Sequence, residues 1–221
     1  MPVASPAPVE EMQTVEDLLK RLGDVPPGRI RLRPPPGTAT EEDVLEAEAR
    51  TGRLCELVDG TLVEKAMGYY ESRLAAVLIG FLEAYLVEQD LGIVLGADGL
   101  VRMEPGQVRL PDVCFFAWEK FPNRLLPRGA ILDRRPDLAV EILSPSNTRA
   151  EMARKRREYF AGGARLVWEV NPETRRVRVY TDADTFTELG EEETLDGGPV
   201  LPGFSLPIRR WFERAGERAG P

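Results

Sequence analysis

Three charged residues lie in sequence contexts that point to a chemical role. Asp112 follows a proline and opens a β-rich run, and Glu141 interrupts the apolar run 137–143. A carboxylate in such a run needs a partner, because burying an unpaired charge is costly. Two carboxylates on neighbouring strands can hold one divalent cation, which activates a water and stabilises charge building on a phosphate. Lys155, in the basic segment that follows, could orient that water, help to deprotonate it or stabilise the phosphate charge.

The absence of histidine narrows the chemistry further. A chain without histidine has no Ser-His-Asp triad, no Cys-His pair, no imidazole base and no HExxH zinc site. Its two cysteines, Cys55 and Cys114, are too few for a four-ligand Cys/His structural zinc site. Acid–base or metal chemistry therefore falls to Asp, Glu, Lys, Tyr or Arg. Carboxylate oxygens favour hard cations, so the expected cofactor is Mg²⁺, with Mn²⁺ as a substitute.

Length and charge set broader limits. The 221 residues fit one domain with a small extension, and two cysteines make no disulfide framework, so a reducing cytoplasm is the expected location. No apolar run approaches the ~18 residues of a membrane span, and the first residues do not resemble a signal peptide. The net charge of −8 argues against a protein that coats nucleic acid. It leaves open a nuclease, whose basic groove can be local.

The elements that must position these residues follow from periodicity and turn signals. A hairpin over 54–64 is predicted around an Asp-Gly turn, and apolar residues at helical spacing predict a long helix over 70–88. The pattern predicts an α/β (α+β) domain in which helices flank a central mixed sheet of about four or five strands, with extra hairpins. The other expected strands are 93–101, 108–118, 136–144, 165–170, 176–181 and Phe186–Leu189, and the other expected helices are Val15–Leu22, Glu41–Thr51, Arg149–Ala161 and Ile208–Ala215. The expected division is an N-terminal, partly irregular extension over 1–39, a domain over 40–215 and a tail over 216–221.

An ordered set of short motifs over roughly residues 40–212 resembles the Uma-type putative restriction endonuclease family of the PD-(D/E)xK nuclease superfamily. Each motif is weak alone, but their order is specific. They are Cys55-Glu56-Leu57-Val58-Asp59-Gly60, Pro111-Asp112-Val113, Val140-Glu141-Ile142-Leu143-Ser144-Pro145-Ser146, Lys155 with Tyr159 and Gly162, and Trp168-Glu169-Val170-Asn171-Pro172 with the strand that follows.

The resemblance implies a restriction-endonuclease-like fold and metal-dependent cleavage of DNA. It makes Asp112 and Glu141 the metal ligands. The superfamily's usual lysine position is Leu143 in this chain, so the resemblance transfers that role to Lys155. It also places Glu56 beside the site, and Glu71 where relatives often carry a histidine. Because cutting a duplex takes two active sites, a homodimer is expected.

Several assignments have alternatives. Asp137 has the strand parity of Glu141 and could be a ligand, although Pro136-Asp137 is more typical of a strand entry. Asp112 could instead pair with Arg109, and Glu141 could form a structural ion pair with Lys155. Tyr159 falls on the helix face of Lys155 at i, i+4. The neighbouring basic residues fit either a solvated face or contacts with phosphate; they are Arg154, Arg156 and Arg157.

Two other functions compete with the nuclease. A non-catalytic nucleic-acid-binding or interaction module on the same fold would agree with the missing histidine and the acidic balance. A carboxylate-pair glycosidase would need a sugar-sized cleft with aromatic walls around Asp112 and Glu141. The aromatic content of 7% disfavours the glycosidase.

Overall fold

The computed structural model describes residues 13–217, which form five α-helices and twelve β-strands. The helices are α1 (Val15–Leu22), α2 (Glu41–Thr51), α3 (Tyr69–Gln89), α4 (Arg149–Ala161) and α5 (Ile208–Ala215). The strands are β1 (Cys55–Val58), β2 (Thr61–Glu64), β3 (Gly92–Leu95), β4 (Val101–Glu104), β5 (Gln107–Arg109), β6 (Val113–Ala117), β7 (Leu138–Ile142), β8 (Leu166–Asn171), β9 (Arg176–Tyr180), β10 (Phe186–Leu189), β11 (Thr194–Gly197) and β12 (Leu201–Pro207). No described helix combines the length and apolar character needed to cross a bilayer.

A six-stranded mixed sheet forms the centre, in the order β10-β9-β8-β7-β6-β3. β7 and β8 run parallel, and α4 is the crossover that joins them; the other neighbouring pairs are antiparallel. A second sheet has the order β2-β1-β5-β4, and β11 pairs with β12 in a separate hairpin. The second sheet carries the β1–β2 hairpin, whose Asp59-Gly60 turn has positive φ at both residues.

The central sheet divides the apolar core into two layers. On one face, α3 and α5 pack with the β11–β12 hairpin over side chains such as Val140 and Trp168. On the other face, Tyr159 of α4 packs over Ala139 and Val167. Because strand side chains alternate between faces, Glu141 lies on the α4 face with Ala139. The sheet thus presents Glu141 to α4.

Local signals fix where α4 begins and which side of it faces inward. Thr148 caps the helix through a capping box with Glu151, and Glu151 also forms a bidentate pair with Arg29 at 2.8 and 3.0 Å. Lys155 and Tyr159 follow Glu151 at intervals of four and are buried with it, whereas Arg157 is exposed. The register of α4 therefore aims Lys155 at the sheet.

The predicted fold class is confirmed, with three corrections to its details. The segments 93–101 and 108–118 were each expected to be one strand, but each contributes to two different sheets. The first contains most of β3 and only the first residue of β4, and the second contains most of β5 and all of β6. The central sheet has six strands rather than four or five. The β11–β12 hairpin was not predicted, because Pro202, Gly203 and Pro207 interrupt the strand pattern of β12.

The expected N-terminal extension packs against the rest of the described chain. Leu22 lies in one apolar cluster with Val58 and Val63, and Ile30 forms a β-bridge with Val63. The division at residues 39 and 215 stays a prediction. Residues 1–12 and 218–221, at the two outer ends of that division, lie outside the described residues.

Candidate active site

Asp112 and Glu141 come from adjacent strands of the central sheet. β6 and β7 pair antiparallel with Val113 opposite Val140, so the next step of the register places Asp112 opposite Glu141. Backbone bonds hold this end of the pair: Asp112 N donates to Val140 O at 3.0 Å, and Ile142 N donates to Asp112 Oδ2 at 2.6 Å. Both carboxylates are buried. The structure therefore brings together the two acids that the sequence singled out.

Glu141 is held by two side chains of α4. Lys155 Nζ lies 3.2 Å from both Oε1 and Oε2, and the Tyr159 hydroxyl donates to Oε1 at 2.5 Å. Both side chains are buried. The predicted helix face at i, i+4 therefore meets the predicted strand carboxylate.

Glu56 enters the same cluster from the second sheet. Its Oε1 lies 2.9 Å from Lys155 Nζ, and its Oε2 accepts from Arg109 NH1 at 2.8 Å. Arg109 also pairs with Glu158, to whose Oε2 its Nε donates at 2.6 Å. Lys155 is thus shared between two buried carboxylates, Glu56 and Glu141, and the suggested pair of Asp112 with Arg109 does not form.

The partner of Asp112 is Lys65, which the sequence analysis missed. Lys65 Nζ lies 2.9 Å from Asp112 Oδ1 and also donates to Leu110 O at 2.5 Å and to Ala97 O at 3.0 Å. Lys65 directly follows β2, and a single lysine at the end of a strand is normally exposed to solvent. No spacing signal links it to Asp112, because the contact depends on how the two sheets meet.

The electrostatics of Lys155 and Glu56 follow from burial and mutual contact. Burial alone would raise the pKa of Glu56, but Lys155 and Arg109 outweigh it and hold that pKa well below its usual value. Burial alone would lower the pKa of Lys155, but Glu141 and Glu56 outweigh it and raise that pKa above its usual value. Lys155 is therefore an ammonium and Glu56 a carboxylate at neutral pH.

Glu141 behaves differently from Glu56. Burial, with the charges of Asp112 and Glu56, raises its pKa to about 7 even though Lys155 and Lys65 act in the opposite direction. The difference arises because Glu56 has two cations in contact, whereas Glu141 shares one with Glu56 and faces two other carboxylates. A carboxyl group that titrates near neutral pH in a charged cluster is typical of functional sites.

Asp137 lies apart from this cluster, and Glu71 lies at the start of α3. Asp137 precedes β7 at the opposite end of the strand from Glu141, where its carboxylate accepts from Ala117 N at 2.9 Å and pairs with Lys120 at 3.2 Å. Glu71 is buried in the first turn of α3, and its carboxylate packs against Gly68, where a Cβ atom would lie 2.3 Å from Oε2. Asp137 therefore lies at the far end of β7 from the contacts of Glu141 with Lys155, and the role of Glu71 stays a prediction.

The three arginines of α4 have different environments. Arg154 pairs with Asp59 at 2.9 Å and with Glu158 at 2.7 Å, and Arg156 pairs with Glu169 at 2.5 Å. Arg157 is exposed. Arg154 and Arg157 line a groove of about 460 Å³ between α1 and α4, together with Lys20, Arg21, Gly23, Ala150 and Ala153. Arg156 instead lines a separate cavity beside β8.

Glu169 is a second buried residue that the sequence analysis did not assign to the site. The parallel pairing of β7 with β8 places it directly beside Glu141. Its carboxylate is held by Arg156 and accepts from the Tyr180 hydroxyl at 3.2 Å. The sequence signal that could have identified Glu169 is a glutamate inside the strand-like run 165–170.

Comparison with known proteins adds the family. A model of the Uma2 family, described as putative restriction endonuclease, matches residues 41–209. The chain belongs to the Uma2 family. The matched range includes every residue of the cluster described above, from Glu56 to Tyr159. No curated protein matches this Uma2 chain at a significant level.

A solved structure supports the same fold. A crystal structure described as a putative nuclease belonging to DUF820, from Anabaena variabilis, is similar to this Uma2 chain with a TM-score of 0.65. The sequence identity is 17%, and the similarity covers 75% of this chain and 93% of the other. The likeness shows that the two proteins share a fold.

The donor set of this Uma2 chain can be tested against a hard divalent cation. Within residues 13–217, no three or more His, Cys, Asp or Glu side chains form a group able to hold a metal ion. Asp112 and Glu141 nevertheless supply carboxylates at paired positions, and each carboxylate has about four lone-pair sites, so the contacts described leave acceptor capacity. Mg²⁺ commonly takes one or two protein carboxylates and keeps several waters. Two carboxylates therefore fit Mg²⁺ or Mn²⁺ as part of a shell completed by water and substrate.

Proposed function

We propose that this Uma2 chain is a nuclease that hydrolyses phosphodiester bonds of DNA with a divalent cation. The observation that carries the proposal is the meeting of Asp112 and Glu141 across the β6–β7 pair, with Lys155 on Glu141. The family description and the shared fold agree with it. Asp112 and Glu141 would hold Mg²⁺ or Mn²⁺, which when bound lowers the pKa of a water and stabilises negative charge on the phosphate.

The residues around these ligands have separable roles. Lys155 stays protonated, so it cannot remove a proton from water; it stabilises negative charge and fixes the orientation of Glu141. Tyr159 orients the same carboxylate through its hydroxyl. Glu56, on β1, balances the charge of Lys155 and so joins the site to the second sheet, and Arg109 on β5 pairs with the same carboxylate. Preorganised donors of this kind need no rearrangement during the reaction.

Cleavage assays on the full chain test this function. Supercoiled plasmid, linear duplex, single-stranded DNA and RNA are incubated with Mg²⁺, Mn²⁺ or a chelator. We expect cleavage of DNA with either metal, none with chelator, and none by Asp112→Asn, which keeps the size of the side chain and removes its charge. The matched control is Asp137→Asn, because Asp137 is also buried but lies at the other end of β7. Cleavage by the Asp112→Asn protein at the rate of the unmodified protein would contradict the assignment of this site as a nuclease site.

One observation favours a second candidate, a non-catalytic nucleic-acid-binding module. Each oxygen of Asp112 and Glu141 already accepts from a protein donor, namely Lys65, Ile142 N–H, Lys155 or Tyr159. Such a module predicts salt-dependent DNA binding without metal-dependent cleavage. The same assays therefore separate the two candidates.

Nucleic-acid binding gives a further prediction at the groove between α1 and α4. Arg157 is exposed there among Lys20, Arg21 and Arg154. If phosphates lie in this groove, Arg157→Ala should weaken DNA binding and lower the slope of log affinity against log salt by about one unit. Arg128→Ala, at an exposed arginine that does not line the groove, is the control and should leave the slope unchanged. Equal slopes for Arg157→Ala and the unmodified protein would remove this groove from the proposal.

A homodimer belongs to the same proposal, because cutting both strands of a duplex takes two sites. The mass of the full chain in solution, with and without duplex DNA, measures it. A strictly monomeric protein that still makes double-strand breaks would contradict this part of the proposal.

A further inference from the structure

Lys65 is held by three acceptors from three different segments. Its ammonium contacts Asp112 Oδ1 at 2.9 Å, Leu110 O at 2.5 Å and Ala97 O at 3.0 Å. An ammonium has three N–H donors, so all of them are used. The side chain is 5% exposed, which places a full positive charge inside the protein directly against the Asp112 carboxylate.

Lys65 and Lys155 differ in the acceptors that remain to each ammonium when it loses contact with one carboxylate. Lys155 contacts the carboxylates of Glu56 and Glu141, so its charge is bound into two buried ion pairs. Lys65 has two backbone carbonyls besides Asp112. If Lys65 gave up Asp112, two of its three N–H donors would still be satisfied. Asp112 would keep its second contact, the Ile142 N–H on Oδ2.

A divalent cation on Asp112 would meet this ammonium. Lys65 occupies Oδ1, while Oδ2 already accepts from Ile142 N–H. A cation bound to either oxygen would lie within a few ångströms of the Lys65 charge, and like charges at that distance repel strongly in a poorly solvated site. The cation and the ammonium therefore cannot both use Asp112 without cost.

We propose that Lys65 competes with the divalent cation for Asp112 and thereby sets the metal affinity of the site. This inference rests on the proposed function only in taking Asp112 as a metal ligand. A cation bound to Asp112 would displace Lys65 from Oδ1 and leave its ammonium on the carbonyls of Ala97 and Leu110, which it already contacts. The released N–H is then directed at the same site and can donate to an anionic oxygen of a bound phosphate. The site is regulated by an internal cation that weakens metal binding until substrate is present.

The test measures binding of Mn²⁺ alone to the full chain, by the electron paramagnetic resonance signal of free Mn²⁺. Lys65→Met removes the charge and should raise the Mn²⁺ affinity at least about tenfold. A tenfold change in affinity is about 1.4 kcal/mol, and the repulsion between a cation and a unit charge about 4 Å away exceeds that at the dielectric constants of protein interiors. Lys65→Arg keeps the charge and should stay within about threefold of the unmodified protein. Asp112→Asn should abolish the binding and so identifies the site. Lys65→Gln, neutral and polar, serves as a second uncharged variant if Lys65→Met does not fold.

The outcomes separate this inference from the nuclease assignment. Tighter Mn²⁺ binding by Lys65→Met or Lys65→Gln supports competition even if no DNA is cleaved. Unchanged or weaker binding by both uncharged variants overturns it, and Lys65 is then a positioning residue that keeps Asp112 oriented. Absence of Mn²⁺ binding in every form also overturns it. Cleavage is measured separately, so a working nuclease with unchanged Mn²⁺ affinity in Lys65→Met contradicts only the present inference.

Discussion

Replacing Lys155 by methionine is expected to lower the free energy of unfolding by about 3–5 kcal/mol at pH 8, the usual cost of removing one partner of a buried ion pair. Lys155 serves two buried carboxylates, Glu56 at 2.9 Å and Glu141 at 3.2 Å. Without Lys155, the carboxylates of Glu56 and Glu141 lose the cation that lies between them and repel each other. Cleavage should be lost as well, because the ammonium that orients Glu141 is gone.

The loss of stability should depend on pH. Protonation of the two carboxylates removes the repulsion, so the deficit of Lys155→Met should shrink as the pH falls from 8 to 5. Urea denaturation at several pH values measures this. Adding Glu56→Gln to Lys155→Met should recover part of the loss, and Arg157→Met, at an exposed site two residues on, should change stability by less than about 0.5 kcal/mol. A deficit below about 1 kcal/mol at pH 8 would show that water or structural relaxation compensates the two acids.

The elements of α4 and its neighbours could be predicted because their signals are local. Thr148 with Glu151 marks the start of α4, and the spacing of Glu151, Lys155 and Tyr159 marks its inward face. The Asp59-Gly60 turn fixes the β1–β2 hairpin in the same way. Such signals depend only on residues within a few positions of each other.

The sequence offered Lys155 as a partner of Glu141, and that pair forms. The partners of Asp112 and Arg109 could not be predicted, since they lie on distant segments. Lys65 reaches Asp112 only because β1 of the second sheet lies beside β5, close to the start of β6. Arg109 precedes Asp112 by three residues and was the local choice of partner, yet it points to Glu56 and Glu158. The segments 93–101 and 108–118 each contain two short apolar runs, and the pattern alone cannot tell that the two runs of a segment join different sheets. Local propensity thus identified the carboxylates, whereas tertiary packing decided their partners.

Replacing Glu141 by glutamine is expected to stabilise the protein at pH 8 while abolishing cleavage. The folded-state pKa of Glu141 is raised to about 7 from the usual 4.5, first by burial and then by Asp112 and Glu56. Between these values the folded protein binds more protons than the unfolded chain, so stability falls as the pH rises from about 4.5 through about 7. The shift corresponds to a cost on the order of 3 kcal/mol above pH 7. Glutamine cannot ionise and should escape it.

The measurement is the free energy of unfolding of both proteins from pH 5 to pH 8, with the gain of Glu141→Gln growing across that range. Glu169→Gln is the matched control: Glu169 is buried beside Glu141 on β8, but Arg156 and Tyr180 satisfy it, so its replacement should destabilise. A Glu141→Gln protein less stable than the unmodified one at pH 8 would mean that Lys155 more than repays the burial of Glu141. Opposite signs for these two neighbours would instead mark Glu141 as the residue held at a cost to stability, which is expected of a functional carboxylate and not of a structural one.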